Sequence, residues 1–382
     1  MTHKLKCDRE MLADKLKKCY SFIPEKQIIP QWENFKLTIA SNIMEILASD
    51  GVMQIKMFCP VESKTDFAIC VPAGLLLKTV NDLFENEITI SQKSDTKIEI
   101  KSGKSKCNIT LDCFPEHFST LQIREISSEI NMNQFMLKMA LKSAGEFVDE
   151  KHTNANLTAI NVNEINNKIV FFGCTKVLFC RVSISPISIN AWQPVNILVN
   201  TAKKVSKLLS DKGEIGVAHC VDKIKFFTDN ESPDHFEITS VTSNTKYPNA
   251  ENIFNKVPEN SINVNTIELK KAVKLLYLYG STGTTTSVFV SNEENSQELI
   301  LLTQDAVTGK HGEVSISIIN PTNVIIKKSF INEQLIQLLS EIDTAETTIY
   351  FNEADAKTPS FFIPKVNTEE DNIYCFIVAS AF

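Results

Sequence analysis

Nothing in this sequence approaches the 18 or so uncharged apolar residues that a membrane-spanning helix needs. The first residues, Met-Thr-His-Lys-Leu-Lys-Cys-Asp, lack the apolar core of a secretion signal. Both absences point to a cytoplasmic protein, and no membrane partner is expected. Ten cysteines are present, but none are spaced C-x-x-C and most sit in apolar runs. They read as reduced, buried thiols, and no metal or other cofactor is expected. The six histidines form no H-E-x-x-H or deaminase pattern. Ser102-Gly-Lys-Ser resembles the tail of a phosphate-binding loop, yet Ile98 stands where that loop requires its first glycine. The Gly/Thr-rich stretch from Gly280 lacks the loop's lysine and opens no helix. With no catalytic constellation, the chain reads as a non-enzyme. Arginine is also scarce: Arg9, Arg124 and Arg181 are three of 39 basic residues.

What is present is a repeat. Six segments have helical apolar periodicity, near residues 8–20, 72–85, 132–147, 196–210, 266–279 and 331–341. Runs of alternating polarity between them, such as Lys97-Ile-Glu-Ile and Val314-Ser-Ile-Ser-Ile, read as strands with one buried face. The helices keep nearly constant phase. Lys15, Lys78, Lys142, Lys207 and Lys274 follow at intervals of 63, 64, 65 and 67 residues, and Gln337 lies 63 further on. A unit of one helix and about four strands cannot cover its own sheet, so units should pack in pairs as two-layer domains. Six units give an α+β protein of three similar domains, expected at 1–126, 127–257 and 258–382.

The total charge is −7, which alone argues against nucleic acid. Its distribution argues the other way, because the helices concentrate lysine. The first carries Lys15, Lys17 and Lys18, and the third Lys138 and Lys142. The fourth carries Lys203, Lys204 and Lys207, and the fifth Lys270, Lys271 and Lys274. At i, i+3 and i+4 these share a face opposite the apolar one. A single such helix would be an ordinary solvated surface; a phased series suggests a positively charged wall. Lysine in place of arginine suits loose attraction to phosphates rather than bidentate reading of bases.

Val71-Pro-Ala-Gly-Leu-Leu, Lys101-Ser-Gly-Lys-Ser-Lys-Cys-Asn-Ile-Thr-Leu followed by Phe114-Pro, Asn156-Leu-Thr-Ala-Ile and Lys246-Tyr-Pro-Asn-Ala occur in this order along the chain. In that order they resemble the bacterial DNA sliding clamp, the beta subunit of DNA polymerase III. The resemblance covers essentially the whole chain and is divergent. It implies a ring formed by a head-to-tail homodimer of three-domain chains, with helices lining the hole around duplex DNA. DNA would be bound without regard to sequence. The same resemblance places Lys26 and Lys151 near DNA, beside Lys15, Lys18, Lys78 and the lysines of the later helices.

The resemblance further implies that Cys107 and Ile109 of one copy meet Leu278 and Tyr279 of the other. It implies a peptide pocket for DNA polymerase, clamp loader and other clamp-binding proteins, at Leu157, Cys174, Phe179, Pro248 and Ile253. The C-terminal strand would add Phe376, Ile377 and Val378, with the register open by one residue. Departures are clear. Where the family has A-T-D-G-H-R-L, this chain has Gly173-Cys-Thr-Lys-Val-Leu-Phe179, and it ends Val378-Ala-Ser-Ala-Phe382. An altered partner repertoire follows, as in a paralogue or a clamp carried by a mobile element. The rival reading is a β-rich scaffold whose lysines only confer solubility.

Overall fold

The computed structural model describes residues 3–23, 29–123, 125–175, 177–232, 234–280, 286–291, 297–305, 308–320, 325–352, 358–365 and 374–378. Seven α-helices occur among them: α1 (Arg9–Tyr20), α2 (Ala73–Asp82), α3 (Gln134–Glu146), α4 (Val199–Leu208), the single turn α5 (Glu251–Phe254), α6 (Thr266–Tyr277) and α7 (Asn332–Ser340). The six long ones fall on the six periodic segments.

Each long helix sits in the same local sequence of elements: a short strand leads directly into it, and three main strands follow, with a strand of two or three residues added in the first and third repeats. The lead strands are Lys4–Asp8, Phe67–Pro72, Ser128–Asn133, Val195–Leu198, Asn260–Asn265 and Lys327–Ile331. Neighbouring repeats exchange these strands. Lys4–Asp8 pairs antiparallel with Glu87–Ser94 of the second repeat, and Phe67–Pro72 pairs with Asn34–Ala40 of the first. The fifth and sixth repeats do the same, Asn260–Asn265 with Glu346–Phe351 and Lys327–Ile331 with Thr286–Val290. Exchange leaves neither repeat with a complete sheet of its own.

Helix caps follow the same alternation. In the odd repeats an Asx side chain closes the helix N-terminus. Asp8 accepts from Met11 N at 2.8 Å, Asn133 from Phe135 N at 2.9 Å, and Asn265 from Ile267 N and Glu268 N at 3.0 Å each. Pro72, Leu198 and Ile331 at the even starts offer no side-chain cap. Such caps are worth about 1 kcal/mol.

The chain divides into two compact units, Met1–Lys138 with Pro186–Asn244, and Met139–Ser185 with Thr245–Phe382. The division falls within α3. In the first unit a nine-stranded sheet is continuous because Phe236–Val241 pairs with Met53–Pro60, with Ile238 opposite Ile55 and both buried. A five-stranded sheet ends on Ser105–Thr110, and α1 and α2 pack together over the buried faces. In the second unit Leu178–Ile184 pairs with Tyr374–Val378 in the same manner, and a four-stranded sheet ends on His311–Ser317. These junction pairings join strands of non-consecutive repeats. They explain why compactness does not follow the pairwise repeat order.

Gly173 shows how closely helix and sheet approach in the second unit. A methyl group there would overlap the Ala144 backbone carbonyl of α3. Neither backbone can yield without breaking its ladder, so Gly173→Ala should cost about 3 kcal/mol or more of stability. A denaturant melt that matched wild type would contradict this packing.

Candidate DNA-facing helices, partner site and chain ends

The lysines called from the sequence do not share one fate. In α4 the buried residues are Val199, Thr201, Ala202 and Val205, and Lys203 and Lys207 project from the opposite side, exposed. In α6 the buried set is Thr266, Leu269, Ala272, Val273 and Leu276, and Lys271 and Lys274 are exposed. Lys78 of α2, Lys142 of α3 and Lys151 just after α3 are exposed as well.

Others are engaged by their own chain. Lys18 is half-buried between Asp14, 2.7 Å away, and Asp234, 3.3 Å away. Lys138 reaches Asp211 at 2.8 Å, and Lys270 lies 3.7 Å from Asp343. Two assignments need correction. Lys15 is 2% exposed and shares the buried side of α1 with Leu12, Leu16 and Cys19, close enough for its charge to act on the Cys59 thiol. Its position three residues after Leu12 and four before Cys19 puts it on the core side, whatever its charge. Lys204 is turned inward too. Its Nζ donates to the Phe22 carbonyl at 3.3 Å, stands 5.2 Å over the Phe22 ring and lies 4.0 Å from Asp50. Burial lowers its pKa, with Asp50 opposing. Lys26 lies outside the described residues.

The candidate partner site lies within the second unit. Phe179 is directly opposite Ile377 on the paired strands, so both point to one face. Val170, Phe172, Phe361, Ile363 and Cys375 share that cluster, and Ala250 and Phe254 cover it from α5 and the residue before it. Half-buried Phe179, Ile253, Tyr247 and Tyr350 form its margin. Cys174 joins through Tyr247, whose hydroxyl donates to the Phe172 carbonyl at 3.1 Å and lies 3.2 Å from Cys174 Sγ. Burial drives the Tyr247 hydroxyl well above its usual pKa, so it stays a neutral donor. Pro248 is exposed beside Tyr247, and Leu157 is half-buried on the turn Ala155–Leu157, outside the cluster.

Phe376 and Val378 do not belong to this face. Strand alternation sends them to the opposite side, where Phe376 stacks on Phe147 of the segment ending α3, with ring centroids 5.4 Å apart. Of the three residues called on the C-terminal strand, Ile377 alone lies in the cluster. Tyr247 was missed as a site residue; its place in the Tyr-Pro pair was the available signal.

Outside this cluster, Glu341 at the end of α7 is half-buried beside Ser143 of α3. Burial raises its carboxyl pKa, against the opposing pull of Lys142 and of Ser143, whose Oγ is 3.2 Å away; Glu146 and Asp343 add like charge. The folded state therefore holds the proton more tightly than the unfolded chain. Stability from this group is full below the ordinary carboxylate pKa and is lost as pH rises through the raised one. Glu341→Gln should raise the melting temperature at neutral pH and flatten that pH dependence; a lower melting temperature would refute it.

Both units present an open strand edge next to exposed apolar side chains. In the first, Ser105–Thr110 is the edge, α2 packs on it, and Leu75 and Phe84 are 50% and 91% exposed. Cys107 on this strand is half-buried, whereas Ile109 is 2% exposed, already covered by its own domain. The assignment of Ile109 to an intermolecular contact is thereby corrected. In the second unit the edge is His311–Ser317. An open groove of about 410 Å³ runs beside it, lined by Glu268, Lys271, Ala272, Leu275 and residues 314–317. Leu278 and Tyr279 at the end of α6 are 69% and 41% exposed. Leu75, Phe84 and Leu275 were not called from the sequence, because isolated apolar positions on a helix carry no sign of which remain uncovered.

Residues 3–120 match the family model of the DNA polymerase III beta subunit, N-terminal domain. A beta sliding clamp from Mycoplasma capricolum is 21% identical over 276 residues, covering 70% of this chain and 71% of that protein. Among solved structures, the DnaN sliding clamp of Pseudomonas aeruginosa bound to griselimycin superposes with a TM-score of 0.88 at 15% identity, over 100% of both chains. The DNA polymerase sliding clamp of Bacillus subtilis gives 0.87 at 16% identity, again over 100% of both chains. The repeated strand–helix–three-strand unit with its exchanged lead strands thus has the fold of the DNA clamps. Within that class, the chain is similar to the bacterial sliding clamps, and its residues 3–120 match the N-terminal domain of the DNA polymerase III beta subunit.

Proposed function

We propose that the protein is a ring-forming processivity factor. Two copies join head to tail around duplex DNA, and the ring tethers DNA polymerase and other proteins carrying a short clamp-binding peptide. Each copy contributes three domains, 1–126, 127–257 and 258–382, and it acts without chemistry of its own. The observation that carries the reading is the repeated helix whose buried side is apolar and whose far side bears Lys203 and Lys207, or Lys271 and Lys274. Point charges of this kind attract phosphate without fixing a register, as a sliding contact requires.

Closure uses the two open edges. Ser105–Thr110 of one copy adds to His311–Ser317 of the other, extending the sheet across the contact. Such a contact is heterologous, and two of them close a ring. The first edge carries Lys104 and Lys106 on or beside it and the second Glu313 and Glu298, charges of opposite sign. The partner site takes an apolar peptide anchor against Phe179, Tyr247 and Ile253. With Val177 and Phe179 in place of the family's charged and glycine-bearing segment, it selects a different peptide from that of better-matched clamps.

Topology is the test. Loaded on nicked circular DNA, the protein should remain bound through a high-salt wash, and it should be released when the circle is cut. Equal retention on circular and linear DNA would reject encirclement and favour a scaffold.

A further inference from the structure

Ten cysteines are all free, and one pair differs from the rest. Cys70 is fully buried on strand Phe67–Pro72, directly opposite Lys36 on the neighbouring strand. The segment after strand Ser105–Thr110 folds back over this place. Phe118 is buried with Cys70 and Leu47, and Cys113 and Trp32 pack on the same cluster. Cys113 is only half-buried; its thiol donates to the Phe114 carbonyl at 3.6 Å and lies close enough to that of Cys70 for the two to interact. Lys36 Nζ donates to the Pro115 carbonyl at 3.0 Å, which holds an ammonium close enough to act on both sulfurs. A cavity of about 410 Å³ is lined by both cysteines together with Gln92, Asp95, Phe114 and Glu116, giving a small oxidant a way in.

We propose that Cys70 and Cys113 are a modification site, closing reversibly into an intramolecular disulfide when the protein meets a peroxide. Cys113, the more exposed, is the attacking group. Its thiolate takes one oxygen from the peroxide; an S–O bond forms, the O–O bond breaks, and hydroxide leaves to become water. The Cys70 sulfur then attacks the sulfenic sulfur. The S–S bond forms, the S–O bond breaks, and a second water carries off the Cys70 proton. Two thiols lose two electrons and two protons, and one peroxide becomes two waters.

The attack is slow at neutral pH, because burial raises both thiols and Asp112 and Glu116 oppose Lys36 at Cys113. The other close pairs lack its opening step. Cys7 and Cys59 interact, as do Cys180 and Cys375, but all four are buried and offer no exposed attacking thiol. The bond would pin residues 111–118, the strap leaving the first domain, onto the sheet beneath.

The full-length protein is treated with hydrogen peroxide, unfolded in alkylating agent, digested and weighed. The peptides containing Cys70 and Cys113 should appear joined, two hydrogens lighter than their sum, and separate again after dithiothreitol. In Cys70→Ser, Cys113 should instead accumulate as sulfenic and sulfinic acid; in Cys113→Ser, Cys70 should stay alkylatable. Both cysteines alkylated after oxidation of other thiols, another pair joined, or Cys113 over-oxidised to the same extent in wild type and Cys70→Ser would each overturn the proposal. If Cys70→Ser fails to fold, the wild-type peptide map decides.

Discussion

Leu278→Asp should leave the protein monomeric at concentrations where the wild type sediments as a dimer. Leu278 is the most exposed apolar residue at the end of α6, 69% accessible in the single chain, and it stands with Tyr279 and Leu275 beside the open edge His311–Ser317. An apolar group left uncovered next to an unpaired strand is costly unless a partner covers both. A carboxylate at the centre of that contact must be desolvated without a counter-charge, and truncations at such positions cost about 2–4 kcal/mol. The dimer dissociation constant should therefore rise by about 30- to 1,000-fold. Because Leu278 is mostly uncovered within its own chain, secondary structure and monomer stability should change little. Phe84→Asp in the first unit should have the same effect, since its side chain is 91% exposed. Ile109→Asp should behave differently: that residue is buried in the first domain, so the variant should lose the fold rather than only the dimer. Sedimentation velocity separates the cases, and a Leu278→Asp protein that sediments as wild type would remove the proposed contact.

The contrast between Leu278 and Ile109 marks what the sequence can convey. Helices were legible because each long one carries a complete apolar stripe at 3.6-residue period, and the near-constant spacing revealed the repeat. The same spacing placed Lys15, Lys78, Lys142, Lys207 and Lys274 in one series. Equal spacing fixes position along the repeat, but the direction a side chain takes depends on how each helix is rolled on its sheet. Lys15 sits one position to the core side of α1, and its aliphatic stem packs where a hydrophobe would. Lys204 was read as outward from its neighbours Lys203 and Lys207, yet its flank meets Phe22, a contact between residues 182 positions apart that no local pattern contains.

Strands carry the same ambiguity more sharply. A shift of one residue exchanges faces. The C-terminal strand Tyr374–Val378 is apolar on both sides, because one face meets α5 and the other Phe147, so it shows no alternation from which to choose. Pairing with Leu178–Ile184 settles it in favour of Ile377. Open edges are the least legible feature: Ser105–Thr110 and His311–Ser317 read like any other strands, and only the completed sheet order shows that, among the described residues, each is an end strand.

The lysine assignments make the second large prediction. Lys203, Lys207, Lys271 and Lys274 are exposed on the far side of helices whose other faces are buried, and Lys15 is not. If the exposed set meets phosphate, each contact releases counterions and steepens the fall of affinity with salt by about 0.9 in a log–log plot. Reversing all four to glutamate should lower that slope by about 3.6 for each copy in the ring, the sum of four such contacts, and sharply weaken association with linear DNA at physiological salt. The helices should still form, since glutamate has lysine's helix propensity and the buried stripe is untouched. Lys15→Met supplies the control: it removes one positive charge from the same repeat position without exposing anything, so the salt slope should stay at the wild-type value. Equal slopes for the fourfold variant and wild type would show that these helices do not face DNA. A slope altered by Lys15→Met alone would show that net charge, and not the direction in which these lysines point, governs the binding.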